Sequence, residues 1–157
     1  MAGNSVAIGK KIPAFSLPAT EGKTFRSKDA LGSKLVIYFY PRDNTTGCTT
    51  EAEAFRDLHA KFRKLDVVIV GVSPDSIPSH EKFKVKYGLP FDLLADVERE
   101  VCSRFDVIRE KSMYGRKFMG VERSTFLFDG AGVLRREWRK VKVPGHAQQV
   151  LEAAQEL

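Results

Sequence analysis

Two periods of apolar positions alternate along the 157-residue chain. Residues 35–40, Leu-Val-Ile-Tyr-Phe-Tyr, form an unbroken apolar run of strand length, which predicts a strand covered on both faces and stopped by Pro41. Over residues 49–64 the period changes. Phe55, Leu58, Phe62 and the following Leu65 recur at spacings of three and four and predict a helix with one buried face. Residues 66–72 read as a second strand, 79–87 as a helix and 91–94 as a short strand. A helix over 97–105 carries Val97, Val101 and Phe105 on its apolar face. Residues 124–128 and 133–141, joined by the turn Asp129-Gly-Ala-Gly132, read as a β-hairpin, and a last helix covers 147–155. Pro13, Pro18 and Glu21-Gly22 mark turns in an N-terminal extension. Residues 108–122, with Tyr114, Gly115, Gly120 and several charges, read as a long surface loop of the kind that often lines sites.

This order predicts an α/β fold with a central mixed sheet flanked by helices. Thioredoxin-like folds share that layout with several others. No repeat, low-complexity tract or linker interrupts it, so residues 1–157 are expected to form a single domain. A chain of this length hides roughly 70% of its extended surface on folding, and its core needs no disulfide or metal staple. Cys48 and Cys102 are therefore free for chemistry. No apolar stretch approaches the ~18 residues of a membrane span. The first ten residues place their charges after a weakly apolar stretch, the reverse of a secretory signal. The expected location is the cytoplasm, where a permanent disulfide is disfavoured. Net charge is +6, concentrated locally at Arg135, Arg136, Arg139, Lys140 and Lys142. Val133, Leu134, Trp138, Val141 and Val143 interleave with these cations, so a solvated sheet or turn surface accounts for them and no nucleic-acid partner is expected.

Candidate chemistry gathers between the first strand and the first helix. Cys48 falls at a strand-to-helix junction, where unpaired backbone N–H groups and the positive end of the helix dipole favour thiolate over thiol. Gly47 leaves room beside the sulfur, and Thr45 and Thr46 offer hydroxyls that can cap the helix or orient a small polar ligand. Asp43 and Glu51 need cationic partners if buried. A buried, inert cysteine in a capped helix fits the same placement.

The run Phe-Tyr-Pro-Arg-Asp-Asn-Thr-Thr-Gly-Cys-Thr-Thr-Glu ending at Glu51, with Pro41, Thr45 and Cys48 at the spacing Pro-x-x-x-Thr-x-x-Cys, resembles the peroxiredoxins. Within them it is similar to the bacterioferritin-comigratory-protein, or peroxiredoxin Q, group. The opening Gly-Lys-Lys-Ile-Pro-Ala-Phe-Ser-Leu17, the middle Val-Ile-Arg-Glu-Lys-Ser-Met-Tyr-Gly115 and the segment Gly-Val-Glu-Arg123-Ser-Thr-Phe-Leu extend the resemblance over nearly the whole chain. It implies a thioredoxin-like fold and a thiol-dependent peroxidase acting on hydrogen peroxide and organic hydroperoxides. Cys48 would be the peroxidatic nucleophile, passing through a sulfenic acid. Thr45 would hydrogen-bond the peroxide, Pro41 would shield the sulfur, and Arg123 would polarise thiolate and substrate. Without the resemblance, Arg123 reads as a strand-edge salt bridge. Glu51, one helical turn beyond Cys48, either orients an arginine or is a solvated carboxylate. No cofactor or metal is implied.

The chain departs from the group at its second cysteine. The resolving position five residues after Cys48 holds Glu53, and the alternative in the following helix holds Phe83, Lys84 and Val85. Cys102, beside the apolar Val101, reads as a packed helix residue, although a Cys48–Cys102 disulfide remains an alternative. The expected cycle uses one cysteine, resolved by an external thiol such as thioredoxin, glutaredoxin or glutathione, in a monomer or weak homodimer. Competing chemistries find less support. There is no Cys-x-x-Cys pair and no phosphate-binding Gly-x-x-x-x-Gly-Lys loop. His59, His80 and His146 read as ordinary polar helix or loop residues without chelating spacing. A non-enzymatic thioredoxin-fold binding or chaperone protein is the remaining alternative, separable by whether Cys48→Ser abolishes peroxidase activity.

Overall fold

A computed structural model describes residues 6–157. The first half of the stretch read against a secretory signal lies outside the described residues. Two short strands, β1 (Ser16–Pro18) and β2 (Thr24–Arg26), pair antiparallel in the N-terminal extension. The chain then runs through β3 (Lys34–Phe39), α1 (Thr46–Lys64), β4 (Val67–Ser73), α2 (Ile77–Tyr87) and β5 (Asp92–Ala95). It continues through α3 (Glu100–Arg104), β6 (Ile108–Met113), β7 (Arg116–Val121), β8 (Ser124–Phe128), β9 (Leu134–Trp138) and α4 (His146–Gln155).

β3 is the centre of a five-stranded sheet of order β5-β4-β3-β8-β9. It runs parallel to β4, with Ile37 opposite Val70, and antiparallel to β8, with Ile37 opposite Phe126. Successive residues of β3 point to opposite faces. Val36 and Tyr38 join Ile69, Leu93 and Leu127 under α1, α2 and α4. Leu35, Ile37 and Phe39 join Val70, Leu94 and Phe126 under α3 and the N-terminal strands. Both faces are covered, which is why this stretch is uniformly apolar. The mixed sheet between helices is the thioredoxin-like arrangement expected from the sequence.

Several boundaries differ from the periodic reading. α1 begins at Thr46 rather than residue 49, because its first turn carries no apolar residue to mark it. The helix expected over 97–105 shrinks to Glu100–Arg104, and Val97 is exposed. Asp96 accepts hydrogen bonds from the N–H groups of Val101 and Cys102 at 3.3 and 2.7 Å, so this carboxylate caps the first turn and the helix starts only beyond it. β9 stops at Trp138, after which Val141 N donates to Arg123 O at 3.0 Å.

The expected loop over 108–122 is instead an antiparallel hairpin, β6–β7, separate from the main sheet. Its turn residues Tyr114 and Gly115 both have positive φ, 52° and 78°, the backbone of a tight hairpin turn. No apolar alternation advertises these strands, because Met113, Phe118 and Met119 face solvent among charges. The basic cluster begins on β9 with Arg135 and Arg136 and continues into the segment after it with Arg139, Lys140 and Lys142. Arg135 pairs with Asp129 at 3.2 Å, Arg136 lies over the Trp138 ring, and Arg139 donates to the carbonyls of Phe105 and Asp106.

Candidate active site

Cys48 is the third residue of α1, which is entered directly from the centre of the sheet. β3 ends at Phe39, Tyr40 adds one more backbone bond to Val72, and Pro41 turns the chain away. Asn44 then takes a left-handed φ of 63°, a conformation asparagine tolerates, and Thr45 is the N-cap. Thr45 does not cap with its side chain. Its hydroxyl donates to Arg42 O at 3.0 Å, which leaves the exposed Oγ1 lone pairs free to accept.

The sulfur of Cys48 is fully buried against the inner face of α1. Arg123, in the short link between β7 and β8, donates from Nη2 to Cys48 Sγ at 3.4 Å and from Nη1 to Glu51 Oε1 at 2.6 Å. Glu51 is three residues beyond Cys48 and so shares its side of the helix. A Cβ on Gly47 would stand 3.1 Å from Arg123 Nη2, so the missing side chain is what admits the guanidinium. Thus Cys48, Glu51, Gly47 and Arg123 come together, with Pro41 half-buried and Thr45 exposed on the loop that precedes them.

The electrostatics of the cluster follow from one cation serving two acids. Burial works against the charge of Arg123, but Glu51 and Cys48 outweigh it and hold the guanidinium pKa above its usual value. Glu51 is buried, and desolvation raises its carboxyl pKa to about 7 against the opposing pull of Arg123. Its second oxygen, Oε2, has no hydrogen-bonding partner among the described residues, nor has the buried Tyr38 hydroxyl. Burial, and after it Glu51 and Cys48, push the Tyr38 phenol up, which keeps it neutral. Lys111 of β6 brings a second cation to the site. Burial and then Arg123 lower its pKa, with Cys48 opposing, while its ammonium donates to Val121 O at 2.5 Å.

Behind the loop lies a buried polar network. Asp43 accepts from the hydroxyls of Tyr40 at 2.7 Å and Ser79 at 2.8 Å, and its Oδ2 stands 2.7 Å from His80 Nδ1. His80 Nε2 faces the carbonyl of Leu94 at 2.9 Å, and because a carbonyl only accepts, Nε2 carries a hydrogen. Asp43 N also donates to Asp75 Oδ2 at 2.8 Å. The network ties the loop at residues 41–45 to α2 and β5. Asp43, Asp75 and His80 are residue types that can hold a cation, but these hydrogen bonds already occupy their donor atoms. His80 and His146 are helix residues, one of the two placements read from the sequence, and both are buried in the core. His146 bonds Thr125 Oγ1 at 2.8 Å, and burial pushes its imidazole down to about 4.

Cys102 lies elsewhere. It packs on the Phe39 face of the sheet, whereas Cys48 packs on the Tyr38 face. Burial, and next the Asp96 carboxylate, push its thiol pKa far up, so it stays protonated and weakly nucleophilic. A cleft of about 590 Å³ between β1 and α3, lined by Phe15, Leu17, Asp96, Val101 and Arg104, is also on that side and does not include Cys48.

Sequence reasoning missed Lys111, Tyr38 and the Asp43–His80 pair. The first sat in an expected loop, the second read as plain core, and the third joins residues 37 positions apart. Two outcomes follow. The unfolded chain ionises Glu51 near 4.5 and the folded chain near 7, so between these values the folded protein holds the extra proton and stability falls as pH rises. That fall is on the order of 3 kcal/mol, and Glu51→Gln is expected to flatten it in urea denaturation at about pH 5 and about pH 8. Removing half of the buried pair by Asp43→Ala is expected to cost ~3–5 kcal/mol by thermal or urea unfolding, because His80 would be left without its partner.

A family model described as AhpC/TSA matches residues 8–137. Peroxiredoxin Bcp of Bacillus subtilis is 48% identical over 153 residues, covering 98% of each chain. Peroxiredoxin Bcp of Xanthomonas campestris is 52% identical over 122 residues, 78% of this chain and 76% of that one. Among solved structures, Xanthomonas campestris peroxiredoxin Q superposes with a TM-score of 0.87 at 46% identity over 90% of both chains. A serine variant of Xylella fastidiosa PrxQ gives 0.91 at 38% identity over 96% of both. The resemblance read from the motifs therefore holds along the chain. The protein belongs to the AhpC/TSA family and is a peroxiredoxin of the Bcp group, a thiol-dependent peroxidase.

Proposed function

We propose that Cys48 is the peroxidatic nucleophile of a one-cysteine cycle that reduces hydrogen peroxide and organic hydroperoxides and is completed by an external thiol. The peroxidase half rests on the Arg123 guanidinium, which reaches a cysteine sulfur at a helix N-terminus. The Cys48 thiolate attacks the distal peroxide oxygen. A sulfur–oxygen bond forms as the O–O bond breaks, and the electron pair leaves on the other oxygen as alkoxide or hydroxide, which takes a proton. Cys48 becomes a sulfenic acid. Alkyl hydroperoxides are included because a Xanthomonas campestris bacterioferritin comigratory protein, 45% identical to this chain over 90% of both with a TM-score of 0.86, has been studied for alkyl peroxide reduction.

Thiol activation by itself supplies little rate. Bringing a thiol pKa from ~8.5 to ~6 raises its thiolate fraction at pH 7 about thirtyfold, but a Brønsted slope of ~0.4–0.5 takes back roughly 10- to 18-fold in nucleophilicity. The rest must come from charge stabilised only as the O–O bond stretches. Arg123 and the unpaired N–H groups of α1 are suited to it. Thr45, whose hydroxyl hydrogen is already given to Arg42 O, is suited to accept the hydrogen of the hydroperoxide. Pro41 shields the sulfur from water, Gly47 admits the guanidinium, and Glu51 orients it.

The resolving half rests on the two faces of the sheet. Cys102 is separated from Cys48 by the β3 layer and its thiol is held protonated, while Glu53, Phe83, Lys84 and Val85 offer no thiol. An external thiolate therefore attacks the sulfenic sulfur and displaces water after protonation. A second thiol then attacks the mixed disulfide, releasing Cys48 and leaving the reductant as a disulfide. Thioredoxin, glutaredoxin and glutathione are all chemically competent.

Arg123→Ala is expected to lower the second-order rate with peroxide by ~100-fold or more. The thiolate fraction, followed by ultraviolet absorbance, should fall by less, and matching losses would refute transition-state stabilisation. One equivalent of peroxide followed by non-reducing mass spectrometry is expected to give a Cys48 sulfenic acid trapped by dimedone. An intramolecular Cys48–Cys102 disulfide would overturn the one-cysteine cycle.

A further inference from the structure

The β6–β7 hairpin exposes several apolar side chains. Met113, Tyr114, Phe118 and Met119 all face solvent, and Tyr114 at the turn is 98% exposed. Hairpins of two strands are marginal unless something packs on them, and contiguous exposed apolar groups rimmed by polar ones mark interaction sites. The hairpin also adjoins the reactive sulfur. Lys111 and Phe118 are opposite one another on one face, and the Lys111 ammonium donates to the carbonyl of Val121 at the end of β7. Two residues beyond β7 the chain delivers Arg123 itself.

Charge selects the occupant. The hairpin carries Arg109, Lys111, Arg116 and Lys117 against a single carboxylate, Glu110. A second copy bound about a two-fold axis would set this patch against itself and oppose cation to cation. A partner with an acidic, partly apolar surface avoids that penalty. The flexible Met113, on the same face as Phe118, suits adaptation to such a surface.

We propose that the β6–β7 hairpin is the docking surface for the protein reductant, a dithiol protein whose thiol is ringed by apolar and acidic groups. The proposal rests on the external-thiol cycle above and adds where its reductant binds. Apolar contact by Tyr114, Phe118 and Met113 holds the partner beside the Cys48 end of α1, and Arg116 and Lys117 steer it there.

The test measures the rate of reduction of oxidised Cys48 by thioredoxin and by dithiothreitol in the full-length protein, with peroxide oxidation followed separately. Changing Met113, Tyr114 and Phe118 together to serine is expected to lower the thioredoxin rate at least tenfold and leave the dithiothreitol and peroxide rates unchanged. Arg116→Glu with Lys117→Glu should lower the thioredoxin rate and flatten its dependence on salt. Equal losses with both reductants, an unchanged thioredoxin rate in the serine variant, or a wild type that thioredoxin reduces no faster than dithiothreitol would each overturn the docking surface. So would a wild-type dimer that the serine substitutions convert to monomer. Cys102→Ser separates the two levels of the argument. Loss of turnover with both reductants in that variant would remove the external-thiol cycle, whereas retained turnover with an unaffected serine variant would remove only the hairpin's role.

Discussion

A single half-buried guanidinium shared between a sulfur and a carboxylate organises this protein. Arg123 reaches Cys48 and Glu51 at once, and it is the cation that a buried Glu51 carboxylate needs, since an unpaired buried charge is costly. The arrangement makes demands on several elements. α1 must present both acids on one side, three residues apart. Gly47 must lack a side chain. β8 and the segment after β9 must fix the Arg123 backbone, the latter through the bond from Val141 N. Burial outweighs the pull of Arg123 at Glu51, whose carboxyl pKa rises to about 7.

The sheet imposes the second constraint. Because β3 is covered on both faces, its alternating side chains define two cores, and each cysteine belongs to a different one. Cys48 sits where helix N–H groups and a cation meet, and Cys102 sits in an apolar layer beside a carboxylate. Identical side chains thus meet different surroundings, and only Cys102 has its thiol pKa pushed up by burial and the Asp96 carboxylate. On the Cys48 side the loop over residues 41–45 is held by Asp43 to Tyr40, Ser79 and His80, so the reactive loop is anchored to α2 rather than left mobile.

Much of this was legible in the chain. The apolar run at residues 35–40 announced a strand buried on both faces, and the spacing of Phe55, Leu58 and Phe62 announced the buried side of α1. A cysteine between them had to fall at a helix N-terminus. Periodicity failed where local chemistry overrode it. The Asp96 cap shortened α3, and the β6–β7 hairpin hid because its strands bury almost nothing. The pairing of His80 was hidden for another reason, since its partners lie on the reactive loop and β5, far away in sequence.

By itself the sequence determined the order of the main-sheet strands and their helices, the helix-start position of Cys48 and the absence of a thiol at residues 53 and 83–85. These are local facts, carried by spacing and residue type. The tertiary structure alone decided that Arg123 meets both Cys48 and Glu51, that His80 is locked to Asp43, and that the two cysteines are divided by a sheet. Each joins residues distant along the chain, and the contacts exist only because packing on a covered sheet brings those residues together.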